Sequence, residues 1–361
     1  MKKKRVMVGL SGGVDSSVAA LLLKEQGYHV EGLFMKNWEE DDTEIYCSAS
    51  ADIADAQAIC DKLAIPLRTI NFSAEYWNDV FMHFLAEYQR GRTPNPDILC
   101  NREIKFKTFL HYALQYGSDF IATGHYAHKS FQDNTYQLRQ CADKNKDQTY
   151  FLYTLGQHAL AHTLFPLAHL TKSEVREIAQ SEGFVNASKK DSTGICFIGE
   201  RKFKRFLQTY LPIQPGPIET LEGEVVGQHD GLMYYTMGQR QGLGIGGQRE
   251  KSGAPWYVVD KNLDRNSLIV VQGKEHSALF ASALICTSLH WINESPLTEP
   301  LNCAAKIRYR QLETPCLIKP CTNNNYHIEF KLPQRAITRG QSIVFYQEKT
   351  CLGGGIIDAV L

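Results

Sequence analysis

The stretch SGGVDSS at residues 11–17 constrains the fold of this 361-residue chain more than any other feature. It follows directly on an apolar run from Arg5 to Leu10, which predicts a β-strand. It leads into Asp15 to Gln26, which has the pattern of a helix ended by Gly27. The glycines let backbone N–H groups turn toward an anion, and the positive end of the helix faces the same point. The sequence therefore predicts an α/β unit with a phosphate-binding loop at the carboxyl end of its first strand.

Short apolar runs alternate with helical patterns over the first 200 residues, which predicts parallel βαβ units. Further strands are predicted at His29 to Met35 and at Phe120 to Thr123, and helices at 49–64, 76–90 and 104–116. Thr171 and Glu174 have the spacing of a capping box, which predicts the start of another helix that ends at Gly183.

A proline-rich segment at residues 212–220, PIQPGPIET, marks a domain boundary, because helical periodicity nearly disappears beyond it. The strands predicted there are Trp256 to Val259, Ser267 to Val271, Ala304 to Tyr309, His327 to Leu332 and Ser342 to Tyr346. We therefore predict an α/β fold class with three domains. They are a Rossmann-like domain with a parallel sheet at 1–205, a small β-rich central domain at 206–280 and a β-barrel at 281–361.

Composition and charge are those of an ordinary globular protein, with 43% hydrophobic and 22% charged residues. The 39 basic and 39 acidic residues balance, so no overall field indicates a nucleic-acid partner. From Leu301 onward, eight basic residues stand against four acidic ones, which fits a phosphate-facing surface or a solvated basic face. The apolar run near the start is too short for an export signal, and no run reaches the ~18 residues of a membrane span. We predict a cytoplasmic protein without membrane contact.

Ten cysteines in a chain without an export signal argue against a disulfide framework. Cys316 and Cys321 form the only close pair, and no second pair has zinc-finger spacing, so a structural zinc is disfavoured. Cys60 lies on an apolar helical face and is predicted to be core. Two cysteines differ from this pattern. Cys100 follows the proline-stiffened corner of TPNPDILCN, and Cys196 lies in the polar, glycine-containing stretch DSTGICFIG.

The phosphate loop lacks the lysine of a Walker A motif, so a GTPase or kinase of that class is not predicted. SGGVDS after a first strand is similar instead to the PP-loop of the ATP pyrophosphatase superfamily, whose members release pyrophosphate and attach AMP to a substrate. Over its full length the chain resembles the tRNA-specific 2-thiouridylases of the bacterial MnmA (TrmU) type. The stretches that carry this resemblance are GLSGGVDSS, NPDILCN, ATGHYA, KDQTYFLY, DSTGICFIG, MGQRQGLGIGG and AKIRYR.

The resemblance implies that the loop cradles the β and γ phosphates of ATP, and that Asp15 helps to hold Mg²⁺ against them. Met35 is then expected beside the adenine, and Gly124 in the wall of the nucleotide pocket. The residues implied to bind ATP are Gly9, Leu10, Ser11, Gly12, Gly13, Val14, Asp15, Ser16, Met35 and Gly124.

The reaction implied by the resemblance is ATP-dependent 2-thiolation of the wobble uridine, position 34, of tRNA. Transfer of AMP to the C2 oxygen creates a good leaving group, and sulfur then arrives from a persulfide on Cys196. Cys100 attacks that persulfide, which frees sulfide or leaves a Cys100–Cys196 disulfide. The implied catalytic residues are Cys100, Cys196 and Asp97. Their placement beside polar loops predicts that both thiols are accessible.

Recognition of RNA is implied in the same way. Asn95, Pro96 and Asp97 are expected to contact the extruded uridine, because enzymes that act on a base take it out of the stack. The further tRNA-contacting residues are His125, Lys146, Asp147, Gln148, Arg308, Tyr309 and Gln341. Arg308 suits a phosphate and Tyr309 a stacked base, although the same residues fit an exposed strand equally well. The implied partners are tRNAs reading Lys, Glu and Gln codons, together with a sulfur-carrier protein or a cysteine desulfurase. We expect a monomer whose ATP-binding core persists without the barrel.

Three alternatives remain open. A PP-loop amidotransferase or synthetase explains SGGVDS but gives no role to Cys100, Cys196 or the ~150 β-rich residues beyond them. A non-enzymatic ATP sensor with an RNA-binding barrel leaves the same cysteines unused. An iron–sulfur cluster held by Cys100 and Cys196 would keep the function and change the chemistry. The sequence offers no obvious third cysteine near either, so a persulfide is favoured.

Overall fold

The structure is a computed structural model and describes residues 3–39, 50–191, 203–246, 253–322 and 325–361. The predicted persulfide carrier Cys196 lies outside the described residues.

The strands of the N-terminal domain are β1 (Arg5–Gly9), β2 (His29–Lys36), β3 (Leu67–Asn71), β4 (Phe120–Ala122), β5 (His128–Gln132), β6 (Thr135–Arg139) and β7 (Thr163–Leu164). Five of them form a parallel sheet with the order β3-β2-β1-β4-β7, and β5 and β6 form a hairpin. Alternate residues of β1 enter two different cores, with Met7 on one face and Val6 and Val8 on the other. Helices cover both faces, as a parallel sheet requires.

The helices are α1 (Val14–Glu25), α2 (Ser50–Leu63), α3 (Ser73–Tyr76), α4 (Met82–Gln89), α5 (Pro96–Leu99), α6 (Phe109–Gln115), α7 (Thr149–Leu152), α8 (Gln157–Ala161), α9 (Lys172–Ser181) and α10 (Phe203–Tyr210). Wide π-helical segments at Trp77–Phe81 and Cys100–Thr108 join α3 to α4 and α5 to α6. The capping box at the start of α9 is confirmed.

The helix predicted at 104–116 begins earlier than the sequence pattern indicates. Its first residue is Pro96, and the Oδ1 of Asn95 accepts a hydrogen bond from the N–H of Asp97 at 3.1 Å. Proline at the first helical position and asparagine as the cap make a strong helix start. The rigid corner of TPNPDILCN is therefore a helix entrance, and Cys100 lies on the helix.

Two β domains follow. The central sheet has the order β10-β11-β8-β9, and the C-terminal sheet runs β12-β15-β14-β13-β16-β17 before it closes. Their strands are β8 (Gly216–Glu219), β9 (Val225–His229), β10 (Trp256–Asn262), β11 (Ser267–Gln272), β12 (Phe280–Trp291), β13 (Leu301–Lys306), β14 (Thr314–Pro320), β15 (Tyr326–Arg335), β16 (Ser342–Gln347) and β17 (Thr350–Val360), with short 3₁₀ turns at Leu232–Tyr234 and Ser277–Leu279. Because β17 pairs with both β16 and β12, six strands form a closed barrel. The predicted fold class is confirmed.

The barrel is joined to the N-terminal domain by more than the chain connection. The hairpin β5–β6 extends the barrel sheet, since β6 pairs with β17 through Arg139 and Leu138. Next to it, Tyr150 donates a hydrogen bond from its hydroxyl to the carbonyl O of Ser342 at 2.9 Å. Tyr153 lies 3.1 Å from the Ser342 hydroxyl. The hairpin β5–β6 and α7 therefore hold the barrel against the N-terminal domain, which carries the phosphate loop.

Candidate active site

The phosphate loop joins β1 to α1 in a conformation that requires glycine at its centre. Gly12 has a φ of +71°, and a Cβ at this position would lie 2.5 Å from the carbonyl O of Asp52. The hydroxyls of Ser16 and Ser17 both donate to the carbonyl of Gly13 at 3.0 Å. The first turn of α1 is therefore held in place, and its free backbone N–H groups are positioned to bind an anion.

The apolar residues that the resemblance assigns to ATP support the loop from beneath. Leu10 and Val14 are 2% and 4% exposed, so their side chains belong to the core. A Cβ at Gly9 would lie 3.2 Å from Cε of Met35. The absence of a side chain at Gly9 thus makes room for Met35 at the carboxyl ends of β1 and β2, where an α/β sheet binds its ligands.

Asp15, in the first turn of α1, has two polar partners. The hydroxyl of Tyr126 donates to its Oδ1 at 2.7 Å, and Nζ of Lys172 donates to both carboxylate oxygens at 2.8 Å. Lys172 is the first residue of α9, where the helix dipole disfavours a cation. Pairing with Asp15 offsets that cost and brings a lysine to a loop that has none of its own.

The same lysine connects the loop to the stretch that carries Cys196. Nζ of Lys172 lies 2.7 Å from Oδ1 of Asp191, which is the first residue of DSTGICFIG. Lys146 and Arg176 pair with the same carboxylate, at 2.5 and 3.1 Å. Burial opposes ionisation, yet the hydrogen bonds from Lys146 and Lys172 lower the pKa of Asp191 to about 2. Asp191 is therefore a fixed negative charge between the phosphate loop and Lys146.

The TGHYA segment lies directly on the phosphate loop. A Cβ at Gly124 would lie 2.7 Å from the backbone N of Ser16. His125 follows, with Nδ1 2.8 Å from Oγ1 of Thr123 and its ring centroid 5.7 Å from that of Phe106. Burial, with a contribution from the charge of Lys105, holds the pKa of His125 well below its usual 6.5, so the ring is neutral at neutral pH.

The predicted base-binding loop is anchored by the barrel. The N–H of Thr93 donates to the carbonyl of Arg339 at 2.9 Å. Nε2 of Gln341 donates to the carbonyls of Thr93 and Pro94, at 2.8 and 3.4 Å. Gln341, predicted to contact tRNA, therefore holds the loop that precedes Asn95, and the barrel sets the position of the site.

Asp97 and Cys100 lie on the helix that this loop enters. Burial raises the pKa of Asp97 above its ordinary 3.8, and the charge of Lys105 partly opposes the rise. Cys100 is only 2% exposed and belongs to the main hydrophobic core. The expectation that a loop position leaves this thiol accessible is wrong for Cys100, because Asn95 and Pro96 start a helix that buries it.

The tRNA-contacting residues implied near α7 differ in their surroundings. Asp147 is 7% exposed, and its carboxylate accepts from the backbone N–H of Cys141 at 2.9 Å. Oε1 of Gln148 accepts from the N–H of Tyr126 at 2.9 Å, and Lys146 is paired with Asp191. The side chain of Asp147 therefore shapes the turn, whereas Lys146 and Gln148 are half-buried.

Arg308 and Tyr309 lie beyond the end of a strand. The strand predicted at Ala304 to Tyr309 is β13, which ends at Lys306. Arg308 is exposed and donates from Nη2 to the carbonyl of Ala336 at 2.6 Å. The ring of Tyr309 lies 4.4 Å from that of Phe151, centroid to centroid. Both residues thus lie in the connection to β14, next to α7.

Sequence reasoning missed Tyr126, Lys172 and Lys105 as members of this site. Tyr126 is within the ATGHYA stretch, and a lysine at a helix start was a signal for Lys172, because the dipole disfavours it there. Among the described residues, no three side chains of His, Cys, Asp or Glu converge as a metal site would require. In the described ranges no helix is both long and apolar enough to cross a membrane.

The fold and the loop together define a PP-loop α/β protein that carries a closed β-barrel. Three family models match the chain in succession: tRNA methyl transferase HUP domain at 4–200, tRNA methyl transferase PRC-barrel domain at 204–272, and Aminomethyltransferase beta-barrel domain at 281–357.

Close relatives specify the family further. The tRNA-specific 2-thiouridylase MnmA of Idiomarina loihiensis is 58% identical over 98% of this chain and 96% of its own. The proteins of that name from Proteus mirabilis and Colwellia psychrerythraea are 60% and 59% identical, over 99% and 100% of this chain and 97% of theirs. The chain belongs to the tRNA-specific 2-thiouridylase family, which confirms the predicted family and the prediction of an enzyme. A 4-thiouridine synthetase–RNA complex with bound ATP gives a TM-score of 0.37 at 16% identity, covering 58% of this chain and 50% of that one, too distant a likeness to inform function.

Proposed function

We propose that this chain uses ATP and Mg²⁺ to convert the wobble uridine of tRNA, position 34, to 2-thiouridine, with AMP and pyrophosphate as the other products. The observation that carries the proposal is the packing of Gly124 on Ser16. It brings the segment of His125 against the phosphate loop, and the ring of His125 lies 5.7 Å from that of Phe106, on the helix that carries Asp97 and Cys100. Membership of the family at 58–60% identity supports it.

ATP fits the phosphate loop through backbone groups more than through side chains. The start of α1, with the backbone N–H of Ser16, and the hydroxyl of Ser11 suit the β and γ phosphates, and Met35 suits the adenine. The carboxylate of Asp15 suits Mg²⁺, which would neutralise the pyrophosphate as it leaves. Both of its oxygens accept from Lys172, so binding of Mg²⁺ to Asp15 requires Lys172 to turn toward the phosphates.

The uridine is activated first. Its C2 oxygen attacks the α-phosphorus of ATP, and the bond to the β-phosphate oxygen breaks as pyrophosphate leaves with the electron pair. The N3 proton passes to the carboxylate of Asp97, whose raised pKa makes it a better base than an exposed aspartate. Asn95 and Pro96 hold the base, and the neutral ring of His125 lies beside it.

Sulfur transfer follows. The outer sulfur of a Cys196 persulfide attacks C2, and the C–O bond breaks with release of AMP. The thiolate of Cys100 attacks the inner sulfur, the S–S bond of the persulfide breaks, and a Cys100–Cys196 disulfide remains. A thiol reductant then restores both cysteines. In the alternative order, Cys100 attacks the persulfide first and releases sulfide, which then attacks C2.

The remaining assignments are proposals of the same kind. We propose tRNAs reading Lys, Glu and Gln codons as substrates, a sulfur carrier or cysteine desulfurase as donor, and a cytoplasmic monomer. Lys146, Gln148, Arg308 and Tyr309 are the proposed tRNA contacts, and Asp147 supports them. The proposed boundary between residues 205 and 206 falls within α10, whose Phe206 packs 5.9 Å from Phe81, centroid to centroid. We keep the proposed boundaries after residues 205 and 280, with α10 packed across the first of them.

The test uses the full chain, ATP labelled at the α-phosphate, a persulfide donor and an unmodified tRNA transcript with uridine at position 34. We expect AMP, pyrophosphate and 2-thiouridine in equal amounts, and none with cytidine at that position. Cys196→Ser should adenylate tRNA without thiolating it, and Cys100→Ser should accumulate persulfide on Cys196.

Other outcomes distinguish the alternatives. Release of ADP would contradict the PP-loop assignment, and incorporation of ammonia would indicate the amidotransferase. Iron and acid-labile sulfide in anaerobically purified protein would indicate a cluster. Persulfide that collects on Cys100 in Cys196→Ser would exchange the roles of the two thiols.

A further inference from the structure

Three basic residues lie on the wide helical segment Cys100–Thr108, and two of them are paired. Nε of Arg102 and Nζ of Lys107 bind the carboxylate of Glu103, at 2.7 and 2.6 Å. Lys105 is half-buried, and it forms no hydrogen bond or ion pair with any residue in the described part of the chain. A half-buried ammonium that makes no direct hydrogen bond or ion pair keeps its donors available for an anionic ligand.

The geometry of the wide segment indicates that Lys105 lies on the same side of the helix as Asp97. In an α-helix, side chains eight residues apart point about 80° away from each other. The segment from Cys100 has i→i+5 bonds, as the N–H of Phe109 shows by donating to the carbonyl of Ile104. A turn with i→i+5 bonds contains more residues than an α-helical turn, so each residue adds a smaller rotation about the helix axis. Over the segment, this smaller rotation returns Lys105 to the side of the helix on which Asp97 lies. Such segments are frequent at functional sites.

The segment also contacts the residues that pack on the phosphate loop. Phe106 follows Lys105 and contacts the ring of His125 at 5.7 Å between centroids. His125 follows Gly124, which packs on the first turn of α1. Burial is the main influence on the pKa values of Asp97 and His125, and the charge of Lys105 lowers both. The charge of Lys105 is therefore within electrostatic reach of both groups.

We propose that Lys105 binds the α-phosphate of ATP and neutralises the charge that develops there as the C2 oxygen attacks and AMP later leaves. This rests on the proposed adenylation. If the β and γ phosphates lie on the loop and the uridine lies at Asn95 to Asp97, the α-phosphate must lie between them. Of the cations beside the loop, Lys189 is held by Asp52, and Lys172 turns from Asp15 to the β and γ phosphates when Mg²⁺ binds. Lys105 is therefore available for the remaining phosphate.

The test compares Lys105→Gln and Lys105→Arg with Lys107→Gln, a matched control whose charge is paired with Glu103. In Lys105→Gln, tRNA-dependent release of pyrophosphate should fall by about 10²–10³-fold, the usual cost of losing one charge-stabilising donor. Dissociation constants for tRNA, thermal stability and loading of sulfur on Cys196 should stay unchanged. Arginine should restore part of the rate. The rate ratio between ATP and its α-thio analogue should change in Lys105→Gln and stay constant in Lys107→Gln.

Two results would overturn this role. Full-rate pyrophosphate release with weakened tRNA binding would make Lys105 a contact to the RNA backbone. Full-rate release with slower reaction of Cys100 would make it an activator of that thiol. If the wild-type protein itself forms no AMP or pyrophosphate with tRNA, the proposed function fails. If the wild type forms both and Lys105→Gln releases pyrophosphate at the same rate, only the role of Lys105 fails.

Discussion

The thiol of Cys100 is buried at the first wide turn of its helix, with 2% of its surface exposed. Attack on a persulfide requires access, so the helix start or its covering must shift before transfer. We expect an alkylating reagent to modify Cys100 at least about tenfold more slowly than Cys321 in the free protein, because opening must precede reaction. Cys321 is exposed and serves as the internal control. Addition of ATP and tRNA should accelerate modification of Cys100 alone, measured by peptide mass spectrometry.

If Cys100 reacts as fast as Cys321 without tRNA, the buried arrangement does not persist in solution. Protection of Cys100 by tRNA would instead indicate that the bound base covers a thiol already in place.

Asp97 and Glu103 lie on one helix, and removal of their charges should change the stability of the protein in opposite directions. Burial raises the pKa of Asp97, so its ionisation costs stability as pH rises from its ordinary 3.8 through the raised value. For Glu103, burial opposes ionisation, but Lys107 and Arg102 lower the pKa. Its charge contributes stability above its ordinary 4.5, and this is lost as pH falls.

Asp97→Asn should therefore raise the melting temperature at pH 7, with the gain vanishing below about pH 3.8. Thiolation should fall by about 100-fold or more, because the base is lost. Glu103→Gln should lower the melting temperature at pH 7 and leave thiolation nearly intact. Melting curves from pH 3 to 8 check both. A less stable Asp97→Asn at pH 7 would show that the carboxylate has a stabilising partner.

At the scale of elements, the connection between β15 and β16 holds the base-binding loop. Gln341→Ala removes the donor that Thr93 and Pro94 share. If Gln341 positions the loop, kcat should fall by about tenfold while the Kd for tRNA changes little. Gln347→Ala, an exposed glutamine on β16, is the matched control and should leave both unchanged. A weaker Kd with unchanged kcat would make Gln341 a direct tRNA contact.

The sequence revealed the elements whose signals are local. Gly12 and the Thr171–Glu174 box predicted a loop and a helix start from a few neighbouring residues. The hairpin β5–β6 was missed, although Asp133 and Asn134 have the positive φ values of a two-residue turn, because Asp-Asn is a weaker signal than Asn-Gly. Its pairing with β17 joins residues more than 200 positions apart, which no local pattern encodes.

Prediction of the site from the sequence is limited in the same way, because parts of its geometry have no local sequence signal. The resemblance indicated which motifs matter, whereas the burial of Cys100 depends on where the helix begins. The spacing of apolar residues gives no sign of i→i+5 bonding, so the direction of Lys105 followed only from the structure. Arg308 lies outside β13 because the strand ends two residues before it, and the alternating sequence pattern does not mark that end.

At the scale of the whole molecule, one hydrophobic core runs from the parallel sheet into the barrel. It contains Met7 of β1, Tyr150 of α7, and Val344 and Tyr346 of β16. The hydroxyls of Thr149 and Tyr346 lie 3.2 Å apart, and Tyr150 donates to the backbone of Ser342. The barrel therefore shares a core with the parallel sheet, and we propose that the ATP-binding core does not persist without it.

A chain that ends at residue 280 should lose more than tRNA affinity. It exposes Tyr150 and Tyr153, which are 1% and 2% exposed in the intact chain, and removes β17, the barrel strand that pairs with β6. We expect a melting temperature lower by more than about 10 °C, or aggregation, together with loss of ATP binding. Calorimetry of the intact chain should show one cooperative transition. A shortened chain that melts cooperatively and binds ATP with the affinity of the intact protein would show that the two cores are independent.

A milder variant, Tyr150→Phe, keeps every domain and removes one buried hydrogen bond. It should lower the free energy of unfolding by about 1–3 kcal/mol, because the Ser342 carbonyl loses the Tyr150 hydroxyl as its donor.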